Sequence, residues 1–348
     1  MQRLETATPI RFQHSEDYDM DFGDFARDEK EELDIEDLTE PWYYYDSKNN
    51  TRVFYPIRLG ELLNERYLIE HKLGHGDFST VWMAYDLQER KNVALKVMSP
   101  GGCDENETRI QAEIKQRVQD KSHLVVYLNT FLLPWKNDTY SRALVLPLMG
   151  PCMSWHNLTK SSMAARMSAA QQLLRALESL HQVGIVHRDL HANNCMWGVS
   201  SLQDLTRTAK YQKLGRPLKQ TIPFVELWKP GELVRPASIP DELRTADFFL
   251  GDFGIATKLN DPTFQIQRGY PPNLYSSPDR LHGQDPSFAC DMWSYMVLFA
   301  ELYLDFPPFW NTASDGGIIA DFLKSSAHFL RSGRGLENLQ DVRIQPNP

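Results

Sequence analysis

The sequence contains no apolar run long enough to cross a lipid bilayer. The apolar stretch at residues 124–135 is interrupted by Asn129, and the polar N-terminus has no apolar segment after it. A transmembrane helix and a secretory leader are therefore not predicted. We expect a protein without a membrane partner, located in the cytoplasm, the nucleus or both.

Cysteine is scarce and scattered. The four cysteines, Cys103, Cys152, Cys195 and Cys290, form no Cys-x-x-Cys pair. This argues against a zinc ribbon or a disulfide framework and is typical of a reducing compartment. Basic stripes interleaved with aromatic residues are also missing, so direct nucleic-acid binding is not expected.

The net charge of −9 is concentrated in one stretch. Residues 16–40 hold 13 Asp or Glu against two basic residues, Arg27 and Lys30, so the rest of the chain is close to neutral. A run of this composition buries too little apolar surface to offset its ordering entropy. We predict an acidic disordered tail over residues 1–40, which serves either as an arm for a basic partner or as a solubilising tail.

Aromatic residues and strand patterns follow the tail. We predict an aromatic lead-in over residues 41–65, with strand-like segments that pack onto the next domain. Further strands are predicted near 66–70, 73–81, 93–97, 124–133, 142–148, 195–199 and 248–250. An apolar stripe predicts a helix over residues 163–182, with Gly184 at its end, and a second helix, apolar nearly all round, over residues 291–304.

Residues 201–247 interrupt this pattern. They contain five Pro and show little hydrophobic periodicity. Long loops without regular structure are uncommon inside compact domains. We interpret this stretch as an insert that is either functional or mobile.

Two short motifs carry the chemistry. His187–Asn194 reads His-Arg-Asp-Leu-His-Ala-Asn-Asn, and Gly251–Gly254 reads Gly-Asp-Phe-Gly. An Asp, an Asn five residues later and a further Asp supply one carboxylate for a substrate hydroxyl and two oxygen ligands for Mg²⁺. The earlier Asp-Phe-Gly at Asp21–Gly23 has nothing downstream in the required order, and we interpret it as a coincidence.

A lone lysine, Lys96, interrupts the apolar strand 93–97, and a charge at such a position needs a partner. Residues 107–119 have helical character, with Ile110, Ile114 and Val118 recurring every four residues. Glu113 on this helix is the predicted partner of Lys96. The glycines of the Gly-x-Gly at 74–76 would let backbone amides approach nucleotide phosphates.

Together with Ser277–Asp279 and Asp291–Ser294, these motifs occur in an order that resembles a eukaryotic protein kinase. Phe54–Gly60 and Leu73–Trp82 are similar to the SR-protein kinase family, which also carries an insert before the Asp-Phe-Gly. The resemblance covers about residues 53–310. It implies an α+β bilobal protein kinase fold, with a small β-rich N-lobe over 66–148 and a larger helical C-lobe over 149–348. Only 44 residues follow Leu304, which leaves open a C-terminally truncated C-lobe.

The resemblance also implies an activity. It is the transfer of the γ-phosphate of ATP, with Mg²⁺, to protein Ser or Thr, with Arg-Ser-rich splicing-type proteins as the expected substrates and a monomer as the active form. Asp189 would orient the hydroxyl and accept its proton, Asn194 and Asp252 would hold Mg²⁺, and Arg188 would stiffen the loop or neutralise a group of the activation segment. Asp291 would brace the loop from below. The implied nucleotide-binding residues are Leu73, Gly74, His75, Gly76, Val81, Ala94, Lys96, Glu113 and Leu148.

Three positions depart from the family pattern. His191 replaces a Lys that helps to neutralise the transferring phosphate, and a histidine is cationic only near or below its reference pKa of about 6.5. Pro272 stands where Ser/Thr kinases place a Thr, and Asp279 replaces the Glu of an Ala-Pro-Glu motif. A pseudokinase or scaffold that holds nucleotide or a partner without turnover therefore stays open.

A small-molecule phosphotransferase is a third alternative. The pattern His187-x-Asp189-x-His191-x-x-Asn194 also resembles the catalytic loop of aminoglycoside and choline kinase relatives. Those enzymes lack a protein-type activation segment, whereas this sequence continues through Tyr275–Asp279. This feature favours the protein kinase interpretation.

Overall fold

A computed structural model describes residues 21–48, 53–100, 104–135, 139–153, 161–262, 272–306 and 308. Its helices are α1 (Glu29–Glu36), α2 (Asp104–Arg117), α3 (Met163–Gln182), α4 (Arg207–Leu214), α5 (Pro278–Leu281) and α6 (Phe288–Leu304). Its strands are β1 (Asp24–Phe25), β2 (Leu62–Leu63), β3 (Tyr67–Gly76), β4 (Ser79–Asp86), β5 (Lys91–Met98), β6 (Asn129–Pro134), β7 (Tyr140–Pro147), β8 (Ile185–Val186), β9 (Cys195–Val199), β10 (Leu218–Thr221), β11 (Glu232–Val234), β12 (Arg244–Leu250) and β13 (Thr257–Lys258). None of these described helices is both long and apolar enough to span a bilayer.

The N-lobe is built on one antiparallel sheet of six strands. Its order is β2-β3-β4-β5-β7-β6. Alternating apolar residues of these strands bury a shared core around Trp82, Leu95 and Val145, each at most 1% exposed. The sheet brings the glycines of β3 and the lysine of β5 to the same region of the lobe.

The C-lobe is centred on two helices, α3 and α6, that pack against each other. The Ser162 side chain caps α3 by accepting a hydrogen bond from the Ala165 backbone N–H at 3.2 Å, and Gly184 follows its end at φ +81°. The helix has the bounds that its apolar stripe predicts. Helix α6 begins three residues earlier than predicted and ends at Leu304 as predicted, and the next residue, Asp305, takes a left-handed conformation.

The prediction of disorder over residues 1–40 is wrong for residues 21–40, while residues 1–20 lie outside the described part of the chain. Asp28 caps α1 by accepting from the Glu31 backbone N–H at 2.9 Å, and Ile35 is fully buried. Ile35 shares an apolar cluster with Ile222 and Leu233 from the insert. Local composition misses this because the stabilising contacts come from residues about 190 positions away in the chain.

The aromatic lead-in also differs from its prediction. Trp42–Tyr45 forms a 3-10 turn rather than a strand, and residues 53–58 have no regular structure. Tyr45 and Phe54 are buried in the same cluster as Ile35, while Tyr55 joins the N-lobe core. The rings pack onto the lobe through irregular backbone, since apolar burial does not require a strand.

The insert, residues 201–247, is an ordered part of the structure. It contains α4, β10, β11 and the first part of β12, and β10 lies between β11 and the N-terminal strand β1 in a separate three-stranded sheet. The expectation of little regular structure is therefore wrong. Its short elements bury their apolar residues against other segments, so they carry no long periodic pattern of their own.

Candidate functional site

The predicted catalytic loop is held by one buried carboxylate. Asp291, at the first turn of α6, is 1% exposed and accepts the backbone N–H groups of His187 and Arg188, each at 2.8 Å. Arg188 takes a left-handed φ of +70° that side chains rarely adopt. These two hydrogen bonds stabilise that conformation, and the Arg188 guanidinium donates to the Ile255 carbonyl at 2.7 Å.

Asp189 and Asn194 lie side by side at the end of this loop. The Asn194 amide nitrogen donates to the backbone oxygen of Asp189 at 2.9 Å and to its carboxylate at 3.0 Å. The Asp189 side chain remains 23% exposed. The Asp189 carboxylate is therefore both oriented and accessible to solvent, as a general base that accepts a proton from a hydroxyl has to be.

His187 and Gly251 connect this loop to the second motif. The His187 ring accepts from the Asp189 N–H at 3.2 Å through Nδ1, and its Nε2 bonds the Gly251 carbonyl at 3.0 Å. The Gly251 N–H donates to the Asn194 carbonyl at 2.9 Å. Asp252, the next residue, therefore stands beside Asn194 even though 58 positions separate them.

Lys96 bridges this cleft to the N-lobe. Its ammonium lies 2.9 Å from Oε2 of Glu107 and 2.9 Å from Oδ1 of Asp252. Burial disfavours the charged lysine, but Asp252 and Glu107 outweigh that effect and hold the pKa of Lys96 above its ordinary value. Burial also raises the pKa of Glu107, while partial desolvation of the Asp252 carboxylate is outweighed by Lys96, which holds the pKa of Asp252 below its ordinary value.

The predicted ion pair between Lys96 and Glu113 is wrong. Glu107 makes that contact, and Glu113 instead pairs with Lys258 at 2.8 Å and with Arg117 at 2.9 Å. Glu107 and Glu113 are six residues apart, so they project from different sides of α2. The sequence does not separate the two, because Glu107 and Glu113 each lie three residues from the buried Ile110.

Asn106 is a neighbouring residue that sequence reasoning missed. It is 6% exposed, and its side-chain nitrogen donates to the carbonyls of Gly254 and Ala256, each at 3.0 Å. The first turn of α2 is thereby tied to the Asp-Phe-Gly motif as well as to Lys96. No sequence pattern marks an Asn for this role.

His191 lies next to the predicted base. Its Nε2 is 3.6 Å from Oδ1 of Asp189, and its ring is 6.0 Å from that of Tyr275. The Tyr275 hydroxyl donates to the buried carboxylate of Glu301 at 2.9 Å. Burial raises the pKa of Glu301 to about 7, although the hydrogen bond from Tyr275 acts in the opposite direction.

The predicted nucleotide-binding residues divide into two groups. Gly74, His75 and Gly76 lie at the tip of the β3–β4 hairpin, where the space next to Gly74 is open, and Val81 is paired with Lys96 across the sheet. Ala94 lies on β5 opposite Leu146 of β7. The other group consists of Leu73 and Leu148, which pack against an apolar cluster that contains the insert residues Leu202 and Leu214.

The donor atoms available in this cleft fit a hard divalent cation. Asp252 supplies a carboxylate, and Asn194 supplies an amide oxygen because its nitrogen is engaged with Asp189. Among the described residues no cluster of three or more His, Cys, Asp or Glu is arranged to hold a metal on its own. Mg²⁺ is commonly bound by one or two protein ligands together with substrate phosphates, so the two side chains Asn194 and Asp252 are enough for such a site.

Two cavities lie outside this cleft. One of about 390 Å³ is lined by residues 257–262 and Pro286, and one of about 430 Å³ lies beside α3 at Leu174, His181 and Met292. Neither contains a residue of the predicted site. These two surface depressions are therefore separate from the predicted site.

Comparisons with known proteins show similarity to protein kinases. The protein kinase domain family matches residues 67–210. SRSF protein kinase 3 of Sus scrofa is 28% identical over 179 residues, which cover 47% of this chain and 31% of that protein. Protein kinase dsk1 of Schizosaccharomyces pombe is 30% identical over 158 residues, covering 41% and 28%.

A longer but more distant match is the probable serine/threonine-protein kinase clkA of Dictyostelium discoideum, 24% identical over 279 residues, or 76% of this chain and 27% of that protein. The matched regions thus span about a third or less of these relatives' own length. A crystal structure of a kinase domain superposes with a TM-score of 0.52 at 21% identity, covering 75% of this chain and 70% of that one. At that identity the likeness shows the fold.

Proposed function

We propose that this chain, which matches the protein kinase domain family over residues 67–210 and has SR-type kinases among its relatives, transfers the γ-phosphate of ATP, with Mg²⁺, to serine or threonine of a protein substrate. The observation that carries the proposal is the convergence of Lys96, Asp252, Asn194 and Asp189 in one cleft. These four side chains come from both lobes and are joined by direct contacts or by the Gly251–Asn194 hydrogen bond.

In the proposed reaction, the substrate hydroxyl oxygen forms a bond to the γ-phosphorus while the bond to the β-γ bridging oxygen breaks. Asp189 accepts the hydroxyl proton, and its orientation by Asn194 keeps the carboxylate in position. Lys96 holds the nucleotide phosphates with its positive charge, which Glu107 stabilises from behind. Mg²⁺ bound by Asn194 and Asp252 would neutralise charge on the phosphates.

We further propose Arg-Ser-rich proteins as the substrate class, with the chain acting as a monomer inside the cell. The support is the name of the relative SRSF protein kinase 3 and the presence of an insert between the catalytic loop and the Asp-Phe-Gly. A nucleotide-binding scaffold is the alternative that His191 favours, since it stands beside Asp189 where a lysine is usual.

The test is transfer of labelled γ-phosphate from Mg-ATP to an Arg-Ser repeat peptide and to a generic basic protein. Asp189→Ala and Asp252→Asn are expected to abolish transfer, whereas Asp285→Asn, the same change at an exposed position, should leave it unaltered. Transfer that persists in both cleft variants would refute the assigned roles. Nucleotide binding by the folded wild type without transfer to either substrate would favour the scaffold.

A further inference from the structure

The glycine-rich hairpin, residues 74–80, stands on an unusually well buried base. In β3 the four residues Ile69–Lys72 are all buried, whereas His75 and Gly76 at the tip are exposed. Two irregularities in register flank Lys72, one between Ile69 and His71 and one between Lys72 and Gly74. Such bulges redirect side chains. We call His71 and Lys72 the root of the hairpin.

The N-terminal segment reaches this root through a buried ion pair. Glu40 contacts the Lys72 ammonium, both side chains are fully buried, and the Tyr45 hydroxyl donates to the same carboxylate. A buried charge needs such a partner because its transfer out of water is costly. Burial lowers the pKa of Lys72, an effect that Glu40 opposes.

Lys72 is in turn connected to the hairpin. Its ammonium lies 4.3 Å from the centre of the Trp82 ring, and the Trp82 indole N–H donates to the Thr80 hydroxyl at 2.9 Å. Thr80 pairs with His75 across the hairpin. A continuous set of contacts therefore runs from Glu40 to the strands that carry the glycines.

The insert holds the same root from other directions. The Ala237 N–H donates to the Lys72 carbonyl at 2.8 Å, and the His71 ring contacts the Gly215 carbonyl at 3.2 Å. Burial lowers the pKa of His71 to about 4, so its ring is neutral and can donate through Nε2 while Nδ1 accepts from the Lys72 N–H at 2.9 Å.

A second buried ion pair joins α4 of the insert to Glu70, the residue that precedes the root. Lys210 lies 2.7 Å from Glu70, with side-chain exposures of 2% and 5%, and the Tyr211 hydroxyl donates to the Glu70 carbonyl at 3.1 Å. Next to the root, Leu73 packs with Leu148 against the insert cluster. The N-terminal segment and the insert thus both contact the same short stretch of β3.

We propose that Glu40 and Lys72 are positioning residues for nucleotide binding: with Gly215 and Ala237 they form a clamp that sets where the glycine-rich hairpin lies above Lys96. The inference rests on the proposed function, since it takes the hairpin to cover the nucleotide. It makes residues 21–46 part of the nucleotide-binding apparatus although they precede the kinase-like segment. A hairpin released at its root would sample more orientations and bind phosphates more weakly.

The test measures the affinity of the whole chain for a fluorescent Mg-ADP analogue, which requires no turnover. Glu40→Gln and Lys72→Met are expected to weaken binding about 10-fold or more, and hydrogen exchange of the amides at 74–80 should accelerate. Lys48→Met is the matched control, because it is the same chemical change as Lys72→Met. It removes an exposed ion pair between Lys48 and Glu226 of the insert, and it should leave the affinity unchanged.

Tyr45→Phe provides a milder change if Glu40→Gln does not fold, because it retains the ion pair and removes only the hydroxyl donor. It is expected to weaken binding about 2- to 3-fold with faster exchange at 74–80. Folded variants that bind with wild-type affinity would overturn the inference while leaving the proposed function intact. A folded wild type that binds no nucleotide would instead overturn the proposed function, and the inference with it.

Discussion

Replacing Glu107 by Gln separates the observed partner of Lys96 from the one that the sequence predicts. The substitution keeps the size of the side chain and one oxygen acceptor but removes the charge next to the lysine. Glu107 is 1% exposed and also accepts from the Gln111 side chain at 3.0 Å. We expect Glu107→Gln to lower both the free energy of unfolding and the rate of transfer.

The magnitude follows from the geometry. At 2.9 Å and an effective dielectric constant of about 20, the attraction between Lys96 and Glu107 is about 6 kcal/mol. Removal of the buried carboxylate relieves part of its desolvation cost, and Asp252 continues to neutralise the lysine. We therefore expect a net loss of about 3 kcal/mol in unfolding free energy. A similar loss of transition-state stabilisation would reduce kcat/KM about 100-fold.

Glu113→Gln is the matched control, because it makes the same chemical change on the same helix. Its partner Arg117 is 57% exposed, and Lys258 keeps a second carboxylate, Asp261, at 4.0 Å, so we expect a loss of only about 1 kcal/mol and little effect on kcat/KM. Urea unfolding and phosphate transfer should be measured on both variants. If Glu113→Gln is the more damaging of the two, the assignment of Glu107 is refuted.

Three further results are expected. Burial raises the pKa of Glu301 to about 7, so the unfolding free energy should fall by roughly 3 kcal/mol as pH rises from about 4.5 through 7. Urea unfolding of Glu301→Gln should lack this pH-dependent component, and an equal pH dependence in wild type and variant would contradict the role of Glu301. Lys210→Met should cost about 2 kcal/mol by leaving the buried Glu70 carboxylate with only the more distant Arg207, 3.8 Å away, whereas Lys48→Met, in an exposed pair, should leave the urea midpoint unchanged; equal midpoints would exclude a stabilising role. His191→Lys should increase the rate of transfer, because it places a permanent positive charge beside Asp189; an unchanged rate would exclude a charge role for this position.

The parts of the site that the sequence by itself predicted are those with local signals. Asp189, Asn194 and Asp252 belong to short motifs with fixed spacing, and the structure brings them into one cleft as those motifs imply. The apolar stripe of α3 predicted its bounds because a periodic face and a terminal Gly184 act within a few turns of helix. Both kinds of signal can be read from the sequence because they depend only on residues that are close together along the chain.

Tertiary contacts decided the rest. The choice of Glu107 over Glu113 depends on which side of α2 faces the cleft, and both glutamates look alike in sequence. The acidic composition of residues 21–40 predicts disorder, but Ile35 gains an apolar cluster with Ile222 and Glu40 gains a buried lysine. These partners lie far away in the chain. Burial against these partners offsets the conformational entropy lost when residues 21–40 become ordered, and only the folded structure brings the partners together.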